Sequence, residues 1–180
     1  MLKLTRETAR ERGIGNLDVV YALAENLPFQ SKALTGLTCR MGAHHFDDVP
    51  RFVSESFRAL QPGGWFLLVD TIGDNDDEAD AQVDDLERVR DPSHRRNFRT
   101  FEWTKMASDA GFAVMHVEES WKAIEVEDWM NRMRVPETDR GHLREVVANA
   151  KGKFAEYLHP KVENGKSYFH LKELLLFARK

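Results

Sequence analysis

The chain has 180 residues, 42% hydrophobic and 31% charged, an ordinary balance for one soluble globular domain with a sizeable core. A formal net charge of −4 supplies no clustered basic surface and argues against a nucleic-acid partner. No apolar run approaches the roughly 20 residues that span a bilayer, the charged opening MLKLTRETARERG lacks the apolar stretch of a signal peptide, and the single cysteine, Cys39, excludes an internal disulfide. The expectation is a cytoplasmic protein with no membrane partner.

Residues 2 to 12 favour helix, with a thin apolar stripe of Leu2, Leu4 and Ala9, and Gly13 and Gly15 stop it. Leu17 to Ala22 (LDVVYA) is a short β-branched and aromatic run, which predicts a strand. Pro28 makes Ala24 to Gln30 a loop. Ala33 to Cys39 reads as a second, buried strand. Pro50 suits a first helical turn, and Phe52, Val53, Phe57 and Leu60 follow at helical spacing. Gln61 to Gly64 (QPGG) predicts a tight turn into a buried strand, Trp65 to Val69. Two strands joined through a helix by short loops suggest a right-handed βαβ unit and a parallel sheet.

Further on, Asp76 to Val89 predicts a helix with an acidic first turn, and Asp91 to Arg99 a polar, basic loop. Thr100 can cap a helix through Ala110, ended by Gly111. Phe112 to Trp121 reads as a strand, with helices expected over about 125 to 134 and 139 to 158. Tyr168 to Ala178, with its LLLF run, predicts a buried strand able to pair antiparallel with Phe112 to Trp121.

The stretch AENLPF…CRMGAHHFDD…FVSESFRALQPGGWFLLVD, from Ala24 to Asp70, resembles the ubiquinone/menaquinone-type small-molecule methyltransferases of the class I, S-adenosylmethionine-dependent family. RDPSHRRNF (Arg90 to Phe98) and FEWTKMASDAGF (Phe101 to Phe112) match a further recurrent pattern of that family. The resemblance covers roughly the whole chain and is strongest from Asp18 to Phe112. It implies an α/β fold over residues 1 to 180: a truncated, Rossmann-like, mostly parallel sheet with an antiparallel C-terminal hairpin. Residues 125 to 158 would form a lid-like helical insertion. It also implies S-adenosylmethionine as cofactor and a small-molecule methyl acceptor, such as a quinone-like compound or an amine. Open parallel sheets bind ligands beyond the carboxyl ends of their strands, which is where the AENLPF loop, the CRMGAHH segment and Asp70 would lie.

Against the family pattern, the first strand, its glycine-rich loop and the acid ending the second strand have no counterpart in these residues. Gly13-Ile14-Gly15 follows a helix, whereas a cofactor turn follows a strand and opens a helix. Family members carry an aspartate just before the AExLPF alanine, against the adenine amine; Leu23 stands there instead. A charge-assisted hydrogen bond lost in this way costs on the order of 1.5–3 kcal/mol, so weak or absent cofactor binding by this chain is expected. The missing strands would leave Ala33 to Cys39 an exposed edge. Either Leu17 to Ala22 closes onto it or a second chain covers it, which predicts a homo-oligomer. Two other readings stay open: a non-catalytic remnant acting as an oligomerising or regulatory module, and a misplaced start codon of a longer enzyme.

The resemblance places Leu23, Ala24, Arg40 and Met41 on the cofactor side and His44, Asp70 and His94 toward the acceptor. A neutral imidazole at His44 or His45, chiefly His44, can take a proton near pH 7; the other reading is a histidine that merely packs and bonds to backbone at the strand end. Asp70 could orient an acceptor hydroxyl or amine, or merely cap the following loop. His94 and Arg95 could cover the substrate or belong to a solvated loop. Trp103, Trp121 and Trp129 suit ordinary core packing. Asp74, Asp76, Asp80 and Asp85 fail as a calcium loop, because Ala79 and Asp85 stand where glycine and a bidentate glutamate are needed. No zinc spacing appears among the histidines, and no metal is expected.

Overall fold

A computed structural model of the protein describes residues 2 to 180. Helix α1 (Leu2–Glu11) forms as its propensity predicts, although Ala9 is its one buried residue. Gly13, at φ +66°, ends it, and Arg6 donates to the Val19 carbonyl at 2.9 Å. The strand expected at Leu17 to Ala22 does not form. That stretch is irregular and exposed, with Tyr21 88% accessible. A β-branched run gains strand stability from paired neighbours along its edges, and no strand pairs with it among the described residues. Leu17 to Ala22 therefore does not close onto the neighbouring strand edge.

The sheet runs in the order β1 (Leu34–Arg40), β2 (Leu60–Ile72), β5 (Lys166–Arg179), β3 (Ala113–Glu125), with β4 (Lys161–Glu163) also on β5. Strands β1 and β2 are parallel, and helix α2 (Val49–Ala59) connects them in the expected βαβ unit. The other pairings are antiparallel, so the sheet within these residues is mixed rather than mostly parallel. Strand β1 pairs with β2 alone among the described residues. It is half-exposed rather than buried, because nothing in these residues covers its outer edge.

Local chemistry explains the element ends. The Asp48 carboxylate accepts the Arg51 amide and caps α2, with Pro50 in its first turn. Asp76 accepts the Glu78 and Ala79 amides and caps α3 (Asp77–Arg90). Helix α4 (Thr100–Asp109) starts one residue earlier than a Thr100 cap implies. Glu102 reaches back to the Arg99 amide at 2.9 Å, holding the chain at that residue. The QPGG segment is not a separate turn but an irregularity inside β2. The β1–β2 register slips between Leu34 and Gly36, and Gly63 takes φ +78°. Gly36 is required by packing, since a Cβ there would sit 2.2 Å from the Trp65 indole.

The helix expected over 139 to 158 is two helices, α6 (Glu137–Ala148) and α7 (Gly152–Leu158), broken where Gly152 adopts φ +55°. Helix α5 (Val126–Met133) precedes them. Strand β4 was not expected, although Asn164-Gly165, both at positive φ, is the two-residue hairpin signal that announces it.

Two apolar clusters share β5. Phe52, Phe66, Leu68, Trp103, Leu174 and Leu176 fill one, under α2 and α4. Leu86, Trp129, Leu143, Phe154, Phe169 and Leu171 fill the other, under α3 and the three helices α5 to α7. Trp103 and Trp129 pack as expected. Trp121 does not, being 45% exposed on strand β3, where it meets Tyr157 and His159 edge-on and at a tilt. No helix among the described residues is long and apolar enough to cross a membrane.

Candidate active site

The site forms where β1 and β2 end. After Arg40 the chain turns sharply: Met41 takes φ +51° and its amide donates to the Val69 carbonyl at 2.8 Å. That turn points three successive amides, Gly42, Ala43 and His44, at Asp70 Oδ2, at 3.3, 2.7 and 3.3 Å. The Asp70 carboxylate has no solvent exposure. Its other oxygen accepts the Thr71 amide at 2.9 Å and meets His44 Nδ1 at 2.5 Å. A buried carboxylate is tolerable only when hydrogen bonds replace its water, and here five donors do so. Asp70 is therefore committed to the Ala43–His45 turn and to His44, and its oxygens are taken up by protein groups.

The shared Nδ1 contact puts the His44 proton on the Asp70 side and leaves Nε2 as the acceptor nitrogen. Burial opposes protonation of His44. Its bond to Asp70 and the charges of Asp70, Glu87 and Asp91 outweigh that, holding its pKa above the ordinary histidine value. His45 turns to the loop instead, with Nδ1 3.2 Å from the Ser93 hydroxyl.

The loop from Asp91 to Arg99, which the sequence left as either a cover over the substrate or a solvated loop, is folded against the site. Arg95 donates its amide to the His44 carbonyl at 2.9 Å, and His94 and Asn97 are buried. The His94 ring lies 5.5 Å from that of His44. Its Nε2 meets Asp84 at 2.8 Å, and its Nδ1 lies 3.7 Å from Glu87. Both ring nitrogens thus face carboxylates of α3, although the sequence had placed His94 toward an acceptor. Asn97 completes the network, donating to Glu87 at 3.0 Å and accepting the Thr71 hydroxyl at 2.7 Å. Composition could not reveal this: Asp80, Asp84 and Glu87 lie on a helix of acidic sequence and are buried all the same.

On the cofactor side, the AENLPF loop is pinned to the start of α2. Glu25 accepts the Asp47 and Asp48 amides, and Arg58, paired with Glu55, holds the Leu27 and Phe29 carbonyls. Ala24 is half-buried against the first core, whereas Leu23 is 67% exposed. Arg40 is exposed and Met41 half-buried. These four residues offer backbone and apolar surface to an adenosine and no carboxylate to its hydroxyls or amine, so they fit part of S-adenosylmethionine.

A cavity of about 80 Å3 lies beside His44, lined also by Met41, Thr71, Arg90, Lys122 and Trp129. Of these, sequence reasoning had singled out His44, Met41 and, as core, Trp129. Arg90 and Lys122 come from α3 and β3, and only the packing of those elements brings them to the strand ends. No cluster that could hold a metal is found among the described residues.

Comparison with known proteins agrees with this fold. The family described as "Methyltransferase domain" matches residues 1 to 68. The chain is 34% identical to the uncharacterized methyltransferase YcgJ of Bacillus subtilis, over 98% of this chain and 70% of that protein. The crystal structure of YcgJ superposes with a TM-score of 0.94 at 30% identity, covering all of this chain and 78% of that one. A Bacillus halodurans structure, described as a methyltransferase, gives a TM-score of 0.92 at 32% identity over 99% of this chain and 78% of its own. Similarity to the ubiquinone/menaquinone C-methyltransferase UbiE of Serratia proteamaculans, at 39% identity, is confined to 39% of this chain and 28% of that protein. A mixed α/β sheet of Rossmann-like form and a relative 34% identical over 98% of this chain thus converge: the chain belongs to the class I methyltransferases, whose cofactor is S-adenosylmethionine.

Proposed function

We propose that the protein methylates a small-molecule acceptor and that His44, oriented by Asp70, takes the acceptor's proton. The observation that carries this is the His44–Asp70 contact at 2.5 Å beside a small cavity. When bound, S-adenosylmethionine would supply an electrophilic methyl on a sulfonium whose sulfur is left as a neutral thioether. The chain's own part is to hold an acceptor O–H or N–H against His44 Nε2. The proton moves to Nε2 as the acceptor's lone pair forms the new bond to carbon. Asp70 steadies the resulting imidazolium, and His94, fixed by Asp84, keeps the His44 ring in place. Helices α5 to α7 act as a lid over the acceptor. The similarity to UbiE supports a small-molecule acceptor without naming one.

The test is transfer of a labelled methyl from S-adenosylmethionine to a panel of hydroxyl and amine compounds. The expected result is labelling that falls by about 10²–10⁴ in His44→Gln with cofactor affinity unchanged. Labelling indifferent to that substitution would sink the role of His44.

A second reading has its own support: a non-catalytic, self-associating module in which these 180 residues alone hold the cofactor weakly. Leu23 in place of a carboxylate, the free outer edge of β1 and the exposed Leu17, Val20 and Tyr21 favour it. A homo-oligomer and a cytoplasmic site of action belong to both readings; Cys39, whose thiol burial pushes up to about 12, stays un-ionised and unreactive. Titration calorimetry with S-adenosylhomocysteine separates the two readings. Micromolar binding favours the enzyme, and no binding at millimolar ligand favours the module.

A further inference from the structure

The cavity beside His44 has an unbalanced charge. Lys122 is closed by Glu173 at 2.8 Å, and Arg132 by Asp128 at 3.2 Å. Glu87 accepts from Asn97 and lies near His94. Arg90 is different. Its guanidinium lies over the Trp129 ring, Cζ 4.8 Å from the centroid, and its Nε donates to the Trp129 carbonyl at 3.2 Å. Its two terminal nitrogens have no hydrogen-bond partner, and it makes no ion pair, among the described residues. Burial disfavours its charge, the contrary pull of Glu87 notwithstanding, yet a guanidinium stays protonated at any physiological pH. A permanently charged, partly desolvated fork beside a cavity is an incomplete ion pair.

We propose that this cavity binds the carboxylate of the methyl acceptor through the terminal fork of Arg90, with the acceptor's reactive hydroxyl or amine directed at His44. The inference rests on the reading of His44 as the proton acceptor and names the substrate class for it. Two parallel N–H donors match the two oxygens of a planar carboxylate, and the Nε contact to Trp129 fixes the plane in which they point. Size agrees. A cavity of about 80 Å3 has room for a carboxylate and the carbon that carries it. The rest of the acceptor would extend out along Trp129 toward the cofactor.

Acetate is the probe. In nitrogen-15-labelled protein at constant ionic strength, acetate should shift the Arg90 Nε–H and His44 ring signals saturably in the low-millimolar range, with inorganic phosphate weaker. Arg90→Met keeps an apolar stem over Trp129 and removes the fork. It should weaken acetate by about tenfold or more while leaving the melting temperature and S-adenosylhomocysteine affinity unchanged. Acetate without effect, or phosphate and chloride acting equally, would overturn the assignment. So would a loss of S-adenosylhomocysteine affinity in Arg90→Met, because the anion would then be the cofactor's own carboxylate. Arg90-dependent acetate binding together with methyl transfer insensitive to His44→Gln would uphold the carboxylate site and reject the role of His44.

Discussion

The first 40 residues and the rest of the chain are built on different terms. From Met41 onward, β2, β5 and the helices α2 to α7 bury a face in one of two cores joined by β5, the outer strand β3 staying largely exposed, and even the charged face of α3 is sealed by His94, Asn97 and Arg99. Up to Arg40, α1 buries Ala9 alone, Leu17 to Ala22 forms no strand, and β1 has one paired edge. The difference teaches that a good local pattern yields a helix without tertiary help, since its hydrogen bonds are internal. A strand has no such recourse, because its backbone partners must come from elsewhere.

Substitutions can break or sharpen that contrast. The largest effect is expected at Asp70, whose removal by Asp70→Ala strands four amides and the His44 ring. Denaturant unfolding should show a loss of about 3–5 kcal/mol. Leu174→Ala, in the strand that serves both halves of the fold, should cost about 2–5 kcal/mol, whereas Leu4→Ala should fall within about 0.5 kcal/mol. Equal losses at the two leucines would abolish the distinction between the regions. Gly36→Ala lies at the seam, where the new Cβ must displace Trp65; about 1–3 kcal/mol is expected, read as a lower melting temperature.

The pH dependence of His44 gives a smaller and signed effect. Its folded pKa is raised, so the stability it contributes is fully present below the unfolded value of about 6.5 and is lost as pH rises through the folded one. Methyl transfer should run the other way and climb through the same pKa, since the base must be neutral. Asp70, Glu87, Asp91, Lys122, Arg90 and the neighbouring His45 and His94 all bear on that titration, which is read from the His44 ring signals. Smallest in stability, but telling for association, is Tyr21→Lys. Sedimentation should show a shift toward monomer with unfolding unchanged, and an unchanged sedimentation profile would remove that surface from any oligomer.

Much of the fold was legible because it is written in periodicity and caps. Val49 to Ala59, Asp77 to Arg90 and the long C-terminal strand carry their own signals, as do the Asp48 and Asp76 caps. The order of His44 and Asp70 along βαβ was legible for the same reason: both follow strands that run in parallel to one end of the sheet. What failed were features that depend on a neighbour. The QPGG segment became an irregularity because β1 and the C-terminal Lys180 pair across it. The basic loop became buried because α3 turns its carboxylates inward.

The sequence alone therefore determined the class of the fold, since helix periodicity, strand runs and turn residues act through bonds and nearest neighbours, and its motifs carried the resemblance to the class I methyltransferases. Only the tertiary structure decided that Asp70 is spent on holding His44 and that His94 faces carboxylates. It also decided that Arg90, 46 positions beyond His44 in a helix of acidic composition, leaves two donors unmatched at the same cavity. Burial and pairing of charge depend on which elements pack together, and no window along the chain contains that information.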